Sequence, residues 1–336
     1  MAGKYATAHK AENLGGPGDA RPTALQIVRD NGYEGKLADK VFIVTGTSSG
    51  IGVETARALA ATGGKVFCTV RDLKKGEAAC KSFLEPGRVE LLEMDNNSLD
   101  SVRAAAKTFL SKSDNLNVLV NNAGIMATPE GTTADGFELQ FGTNHLAHFL
   151  FFNLLKDTMI KSSTPEFQSR VVNVSSSGHA SGEVQFGNYK FEDGNFNVWA
   201  AYGQSKTANI YMANEIENRY GSKGLHGLSL NPGGIWTGLQ KDVPEETMKL
   251  WKSDPNVDNF MKSMEQGAAT SVLAAVGTTF EGKGRLYLED CDIAAPVDAG
   301  NGLSAGVFGY VPHAFDKEKE ARLWKDSLEM VALNDE

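Results

Sequence analysis

The chain has 336 residues, 41% hydrophobic and 22% charged, with a formal net charge of -9. That composition suits a globular protein with one large core or two modest ones, and the acidic balance argues against a general nucleic-acid binder, which needs a broad basic surface to neutralise phosphates. No apolar run reaches the roughly 18 residues that a membrane span requires, and Met1 to Pro22 lacks the apolar stretch of a secretory signal, so a soluble, cytoplasmic protein is expected.

Residues 1–39 read as an N-terminal extension: the first 21 are rich in Gly, Ala and polar residues and read as loosely ordered, and Thr23 to Arg29 fits a short amphipathic helix. From Lys40 onward, short β-branched runs alternate with helix-period stretches. Val41–Thr45 precedes 51–62, Lys65–Thr69 precedes 73–84, and Val89–Leu92 precedes 99–110. Val118–Val120 then precedes a predicted helix over 137–160, and Arg170–Val174 one over 200–220, with later strands at 225–230 and 285–288. Strict alternation of this kind implies an α/β fold, a doubly wound parallel sheet in one domain over 40–336, with ligands at the carboxyl ends of the strands. A charged amphipathic helix, Asp316 to Leu333, carries Leu323, Trp324, Leu328 and Val331 on its apolar side and reads as packed back on the domain. Cys68, Cys80 and Cys291 have no CxxC spacing and read as reduced structural thiols.

The first strand runs into Thr45-Gly46-Thr47-Ser48-Ser49-Gly50-Ile51-Gly52, which opens a helix. Glycines allow a sharp turn and close approach to a pyrophosphate, whose charge is met by free amides and the positive helix end. An ordinary strand-to-helix turn is the competing reading, and the context between a predicted strand and a predicted helix weighs against it.

This spacing, Thr-Gly-x-x-x-Gly-x-Gly, resembles that of the short-chain dehydrogenase/reductase family, and the resemblance runs from about Lys40 to Leu288 on several motifs. It implies a Rossmann-type domain that binds a nicotinamide nucleotide through Gly46, Ser48, Ser49, Gly50, Ile51 and Gly52. Asn122, Ala123 and Gly124, in Asn121-Asn122-Ala123-Gly124, resemble the family's turn beside the adenosine ribose, and Asp95, with Asn96 next to it, resembles its adenine-contacting acid. At the end of the second strand the family's NAD-selecting acid would fall at Val70, which is neutral, whereas Arg71 matches the arginine of NADP(H)-using members, with Lys74 and Lys75 following. An arginine favours the 2'-phosphate, so NADP(H) is the expected cofactor, and a merely solvated helix start is the bland alternative. Pro232, Gly233, Ile235 and Thr237 resemble the turn that meets the carboxamide.

Tyr202-Gly-Gln-Ser-Lys206 puts a phenol and an ammonium one turn apart on one helical face, and a nearby cation favours the phenolate a proton shuttle needs. The spacing alone is cheap. Its position after the fifth strand is where the family keeps its catalytic Tyr and Lys. The same resemblance places the carbonyl-orienting serine at Ser176, with Ser175 the nearest competitor, and the helix-kinking asparagine that holds a water at Asn144. His145 and His148 follow Asn144 without a third ligand at a recognisable spacing, so packing or a substrate-side role is the reading rather than a metal.

The long stretch between Ser176 and Tyr202, the Arg71-Asp-Leu-Lys-Lys-Gly76 run and Gly284-Arg-Leu-Tyr-Leu-Glu-Asp-Cys291 resemble the retinol dehydrogenase-like and WW-domain-containing-oxidoreductase-like branch, which implies carbonyl/alcohol interconversion on lipophilic small molecules; the leading expectation is an NADP(H)-dependent reductase or dehydrogenase, with a tailoring step of specialised metabolism as its setting. Two variable segments, near 177–200 and 236–264, hold aromatic and aliphatic residues that read equally as a substrate lid or as packing against the core. A nucleotide sensor without turnover and a non-redox use of the same pocket are the competing functions. A homo-oligomer is expected only by family analogy.

Overall fold

The computed structural model of the protein describes residues 3–297 and 309–335. Eight strands form one sheet: β1 Val41–Val44, β2 Lys65–Val70, β3 Val89–Glu93, β4 Val118–Asn121, β5 Ser169–Val174, β6 Leu225–Asn231, β7 Leu286–Glu289 and β8 Asp292–Ile293. Their order is β3-β2-β1-β4-β5-β6-β7-β8, parallel throughout except for β8. The chain reverses its direction of travel across the sheet between β1 and β4, which leaves a crevice at their carboxyl ends where no crossover covers the sheet.

Twelve helices accompany the described strands: α1 Ala24–Asp30, α2 Ile51–Ala61, α3 Leu73–Cys80, α4 Leu99–Leu110, the single turn α5 Leu139–Phe141, α6 Ala147–Ser162, α7 Val198–Tyr220, α8 Glu245–Ser253, α9 Val257–Phe260, α10 Met264–Gly267, α11 Ala269–Val276 and α12 Lys317–Met330. Among the described residues none is long and apolar enough to cross a membrane.

The near-continuous apolar strands follow from burial on both faces. In β1, Phe42 and Val44 point into the layer formed with α1, α2 and α11, while Val41 and Ile43 point into the layer formed with α4, α6 and α7. The C-terminal α12 packs on that second layer through Leu323, Trp324, Leu328 and Val331, as its periodicity predicts.

Two expectations change. The predicted helix over 137–160 is broken: α5 gives way to a wider π-type turn, Gly142–Leu146, before α6 begins. The first 21 residues are not loose where they are described. Two short 3-10 turns, Ala6–His9 and Ala11–Asn13, lead to Arg21, which is 4% exposed and hydrogen-bonded to the backbone near residue 260. Composition alone pointed to disorder because this segment buries few apolar side chains; a buried guanidinium and its carbonyl acceptors order it instead.

Candidate active site

A cleft of about 880 Å³ opens over the carboxyl ends of the strands, and both motif groups line it. Its floor is the loop after β1. Gly46 adopts φ +73°, where a Cβ would come within 2.8 Å of the Ala123 backbone, so only glycine lets the loop and the Asn121–Gly124 turn approach so closely. Gly50 stands at the N-cap of α2 without a side-chain cap, which leaves amides of the first turn facing the cleft. Asn122 donates to the Thr45 carbonyl at 2.7 Å, while its Oδ1 is buried without a partner. Uncapped amides and a Cβ-free approach fit a nucleotide's diphosphate, and the orphaned Asn122 oxygen fits a donor such as a ribose hydroxyl.

The second-strand residues divide. Arg71 is exposed and lines the cleft, whereas Lys75 does not line it and instead gives its backbone amide to the Asp72 side chain that caps α3. Asp95 and Asn96 both line it, with Asn96 9% exposed.

Opposite the glycine loop, β5 ends in Ser175-Ser176-Ser177. The two candidate serines separate cleanly: Ser175 spends its hydroxyl on the Lys206 carbonyl at 2.8 Å, while Ser176 Oγ accepts the Gly178 amide at 3.0 Å and is hydrogen-bonded to the Tyr202 phenol. Gly178 is required here, since a Cβ would fall 2.6 Å from the Tyr202 ring.

Tyr202 and Lys206 project from the start of α7, as their spacing predicts, and both are almost fully buried. Lys206 Nζ donates to the Val174 carbonyl at 3.2 Å and lies 5.5 Å from the centre of the Tyr202 ring. At that range the cation does not outweigh burial: burial pushes the Tyr202 phenol up to about 12 despite the Ser176 hydrogen bond, and pulls the Lys206 ammonium down to about 8.

Asn144 lies behind the cleft wall, in the π-type turn. Its Nδ2 donates to the Ile125 carbonyl at 3.0 Å and to Ser205 Oγ at 2.9 Å, and its Oδ1 accepts the Ile125 amide at 2.9 Å. Ser205 in turn donates to the Tyr202 carbonyl at 2.8 Å. The kink thus connects the Gly124–Ile125 backbone to the helix that bears Tyr202. His148 joins the same network: its Nδ1 faces the Asn144 carbonyl at 2.9 Å and its Nε2 faces Thr45 Oγ1 at 2.9 Å and Asn96 Nδ2 at 3.1 Å. Burial holds its pKa down at about 4, so the ring is neutral, with Nδ1–H donating and Nε2 accepting. His145 instead meets Ser327 of α12 at 2.9 Å.

The two variable segments also separate. None of Phe186, Tyr189, Phe191 and Phe196 reaches the cleft; Phe186 and Tyr189 pack beside the second core layer, and the Tyr189 hydroxyl is bonded to Asp326 of α12. Segment 177–200 is packing except at its ends, where Ser177 lines the cleft and Trp199 meets Trp251 at 5.7 Å between ring centres. Segment 236–264 does form a wall. Trp236, Leu239, Leu250, Trp251, Phe260 and Met261 all line the cleft, above the Pro232, Gly233, Ile235 and Thr237 turn. Sequence reasoning passed over Met126, which lines the cleft and packs in a small apolar cluster with Tyr202, Ala127 and Val243; a lone methionine after a glycine turn carries no periodic signal.

The short chain dehydrogenase family model matches residues 40–248. The chain belongs to the short-chain dehydrogenase/reductase family. It is 60% identical to the short-chain dehydrogenase/reductase prx1 of Penicillium rubens over 99% of this chain and 96% of that one. Human retinol dehydrogenase 11 is 38% identical, with 77% of this chain and 80% of that one aligned, which bears out the retinol dehydrogenase-like resemblance. A solved structure of an uncharacterized protein from Mycobacterium paratuberculosis superposes with a TM-score of 0.66 at 32% identity, covering 89% of this chain and 95% of that one. This short-chain dehydrogenase/reductase is accordingly an oxidoreductase of a family that binds NAD(P)(H) and acts on small molecules.

Proposed function

We propose that the chain interconverts a carbonyl and an alcohol on a lipophilic small molecule with NADP(H). The observation that carries this reading is the convergence of Ser176, Tyr202 and Lys206 on one wall of the cleft, facing the glycine loop, with Asn144 bracing the wall from behind. A bound NADPH supplies the hydride that the carbonyl carbon takes up, and NADP+ accepts it in the reverse direction.

In reduction, the Tyr202 hydroxyl gives its proton to the carbonyl oxygen as charge develops there, and Ser176 Oγ hydrogen-bonds the same oxygen. The proton Tyr202 loses is replaced from solvent past Lys206 and the Asn144 kink. Lys206 and Tyr202 would also hold the nicotinamide ribose, and Pro232, Gly233, Ile235 and Thr237 would meet the carboxamide. Gly46, Ser48, Ser49, Gly50, Ile51 and Gly52 would hold the pyrophosphate, and Asp95, Asn96, Asn122, Ala123 and Gly124 the adenosine.

Arg71 at the open edge of the cleft, with neutral Val70 before it, supports NADP(H) over NAD(H), because a guanidinium pairs with a 2'-phosphate and no carboxylate stands at Val70 to repel it. The apolar wall of Leu239, Trp251, Phe260 and Met261 supports a lipophilic substrate. Fluorescence titration of the protein with NADPH and NADH tests the cofactor reading: NADPH should bind at least about tenfold more tightly, the worth of one charge-assisted hydrogen-bonded pair. Equal affinities would remove the argument from Arg71, and failure to bind either nucleotide would remove the site.

A further inference from the structure

The N-terminal extension meets the back of the cleft wall, and Arg21 makes the densest of its contacts there. Arg21 is buried, and its guanidinium meets five oxygens: Asp19 Oδ1 at 2.9 Å and the carbonyls of Gly16 at 3.1 Å, Asn259 at 3.4 Å, Phe260 at 2.8 Å and Met261 at 2.6 Å. Four of those are backbone oxygens, so the contact fixes main-chain position rather than pairing surface charges. Around it the Gly16 amide donates to the Asn259 carbonyl at 3.0 Å, and Gln266 reaches back to accept the Gly18 amide at 2.9 Å and donate to the Arg21 carbonyl at 3.1 Å.

The gripped segment has two faces. Phe260 and Met261 line the cleft, and the Lys262 amide donates to the Gly234 carbonyl at 2.8 Å. Lys262 Nζ donates to the Pro232 carbonyl at 3.1 Å and to Asp290 at 2.6 Å. Asp290 sits at a tight turn between β7 and β8, where it and Cys291 both adopt positive φ. From Asn259 to Lys262, therefore, one strip of chain holds the Pro232–Gly234 turn on one side and Arg21 on the other.

We propose that Arg21 is a positioning residue of the active site, setting the place of the Phe260–Met261 wall and the Pro232–Gly234 turn from an extension outside the β-α core. This rests on the reading of the cleft as the nucleotide and substrate site. Arg21 does not line the cleft. It acts by holding four carbonyls that no alternative donor of the same reach can satisfy at once, and lysine, with a point-like ammonium, can satisfy only some of them.

The test uses the full chain. Limited trypsin digestion with NADPH present, read by mass spectrometry, follows cleavage at Lys249, Lys252 and Lys262 against cleavage at Lys317 and Lys325 of α12. Loss of several buried hydrogen bonds should make Arg21→Met release the first set about tenfold faster while the α12 sites stay within about twofold, with Arg21→Lys intermediate. In parallel, kcat/KM for a bulky ketone should fall about tenfold through KM, and that for a small aldehyde change less than about threefold. Unchanged cleavage in 249–262, or an equal rise at every site, overturns the proposal; if Arg21→Met does not fold, Arg21→Lys is read against the same two criteria. Faster local cleavage in a protein whose wild type turns over no carbonyl would keep the positioning role and reject the reductase reading, so the two failures are distinguishable.

Discussion

His148 Nε2 and Thr45 Oγ1 lie 2.9 Å apart, and this hydrogen bond ties the kinked helix to the first turn of the nucleotide cradle. Thr45 Oγ1 also accepts the amides of Asn122 and Ala123, each at 2.9 Å. Its own proton must then go to His148, whose Nδ1–H is spent on the Asn144 carbonyl. One neutral imidazole thus links β1, the Asn121–Gly124 turn, Asn96 and the Asn144 kink. Replacing it by Leu leaves Thr45 and Asn96 without their acceptor and should cost about 2 kcal/mol of stability, measured by urea unfolding, together with weaker NADPH binding. No change in either quantity would mean that the network is idle.

The same ring sets a pH dependence. His148 is held at about 4 by burial, against the pull of its hydrogen bond to the Asn144 carbonyl and with the Lys206 cation adding to the depression, compared with 6.5 for an exposed histidine. Between those values the unfolded chain binds the proton and the native one does not, so the contribution is complete above about pH 6.5 and lost as pH falls toward 4. Glu289, raised to about 7 by burial, works in the opposite direction over much of that range. The comparison must therefore be between wild type and His148→Gln: Tm of the wild type should drop more steeply from pH 7 to 5 than that of the variant. Parallel curves would show that His148 does not titrate between the two states.

The proposed preference for NADP(H) rests on Arg71. Arg71→Ala should weaken NADPH binding by roughly tenfold to a hundredfold and leave NADH binding nearly unchanged, because only the phosphate loses a charge-assisted partner. Equal loss for both nucleotides in a titration would assign Arg71 to the shared adenosine pocket instead.

Trp251 packs against Trp199 at the mouth of the cleft beside Leu250, which is 68% exposed. Trp251→Ala should lower kcat/KM about tenfold for a bulky apolar ketone and little for a small aldehyde, since removing it takes away contact area that only the larger substrate uses. A uniform loss across substrate sizes would indicate that the wall supports the protein rather than the ligand.

The sheet and the cleft were legible because their signals are local. A β-branched run followed by a glycine turn and a helical period is written in contiguous residues, and the Tyr202–Lys206 spacing states its own geometry. What escaped notice depends on distant partners. Arg21 looks like any charged residue in a Gly- and Ala-rich leader, and its acceptors lie near residue 260. The break at Gly142–Leu146 falls where the family resemblance put its kinking asparagine, Asn144, but its π-type form is set by the contacts of Asn144 with Ile125 and Ser205, which local periodicity does not show. The aromatics of 177–200 were ambiguous for the same reason: whether Tyr189 covers a ligand or packs on α12 is decided by Phe141 and Asp326, both remote in sequence. The contact that favours Ser176 over Ser175, the Lys206 carbonyl taking the Ser175 hydroxyl, is likewise remote in sequence.

Turnover of NADPH with apolar aldehydes and ketones by wild type and Tyr202→Phe, with nucleotide affinity measured on the same samples, tests the central claim most directly. The Phe variant removes one hydroxyl and keeps the ring that packs on Gly178, so NADPH affinity should fall no more than about tenfold, the worth of one hydrogen bond to the ribose, while kcat falls by about a hundredfold to ten-thousandfold, the usual worth of general acid catalysis. Turnover that survives intact in Tyr202→Phe would contradict the assignment of Tyr202 as the proton donor and with it the account of the site.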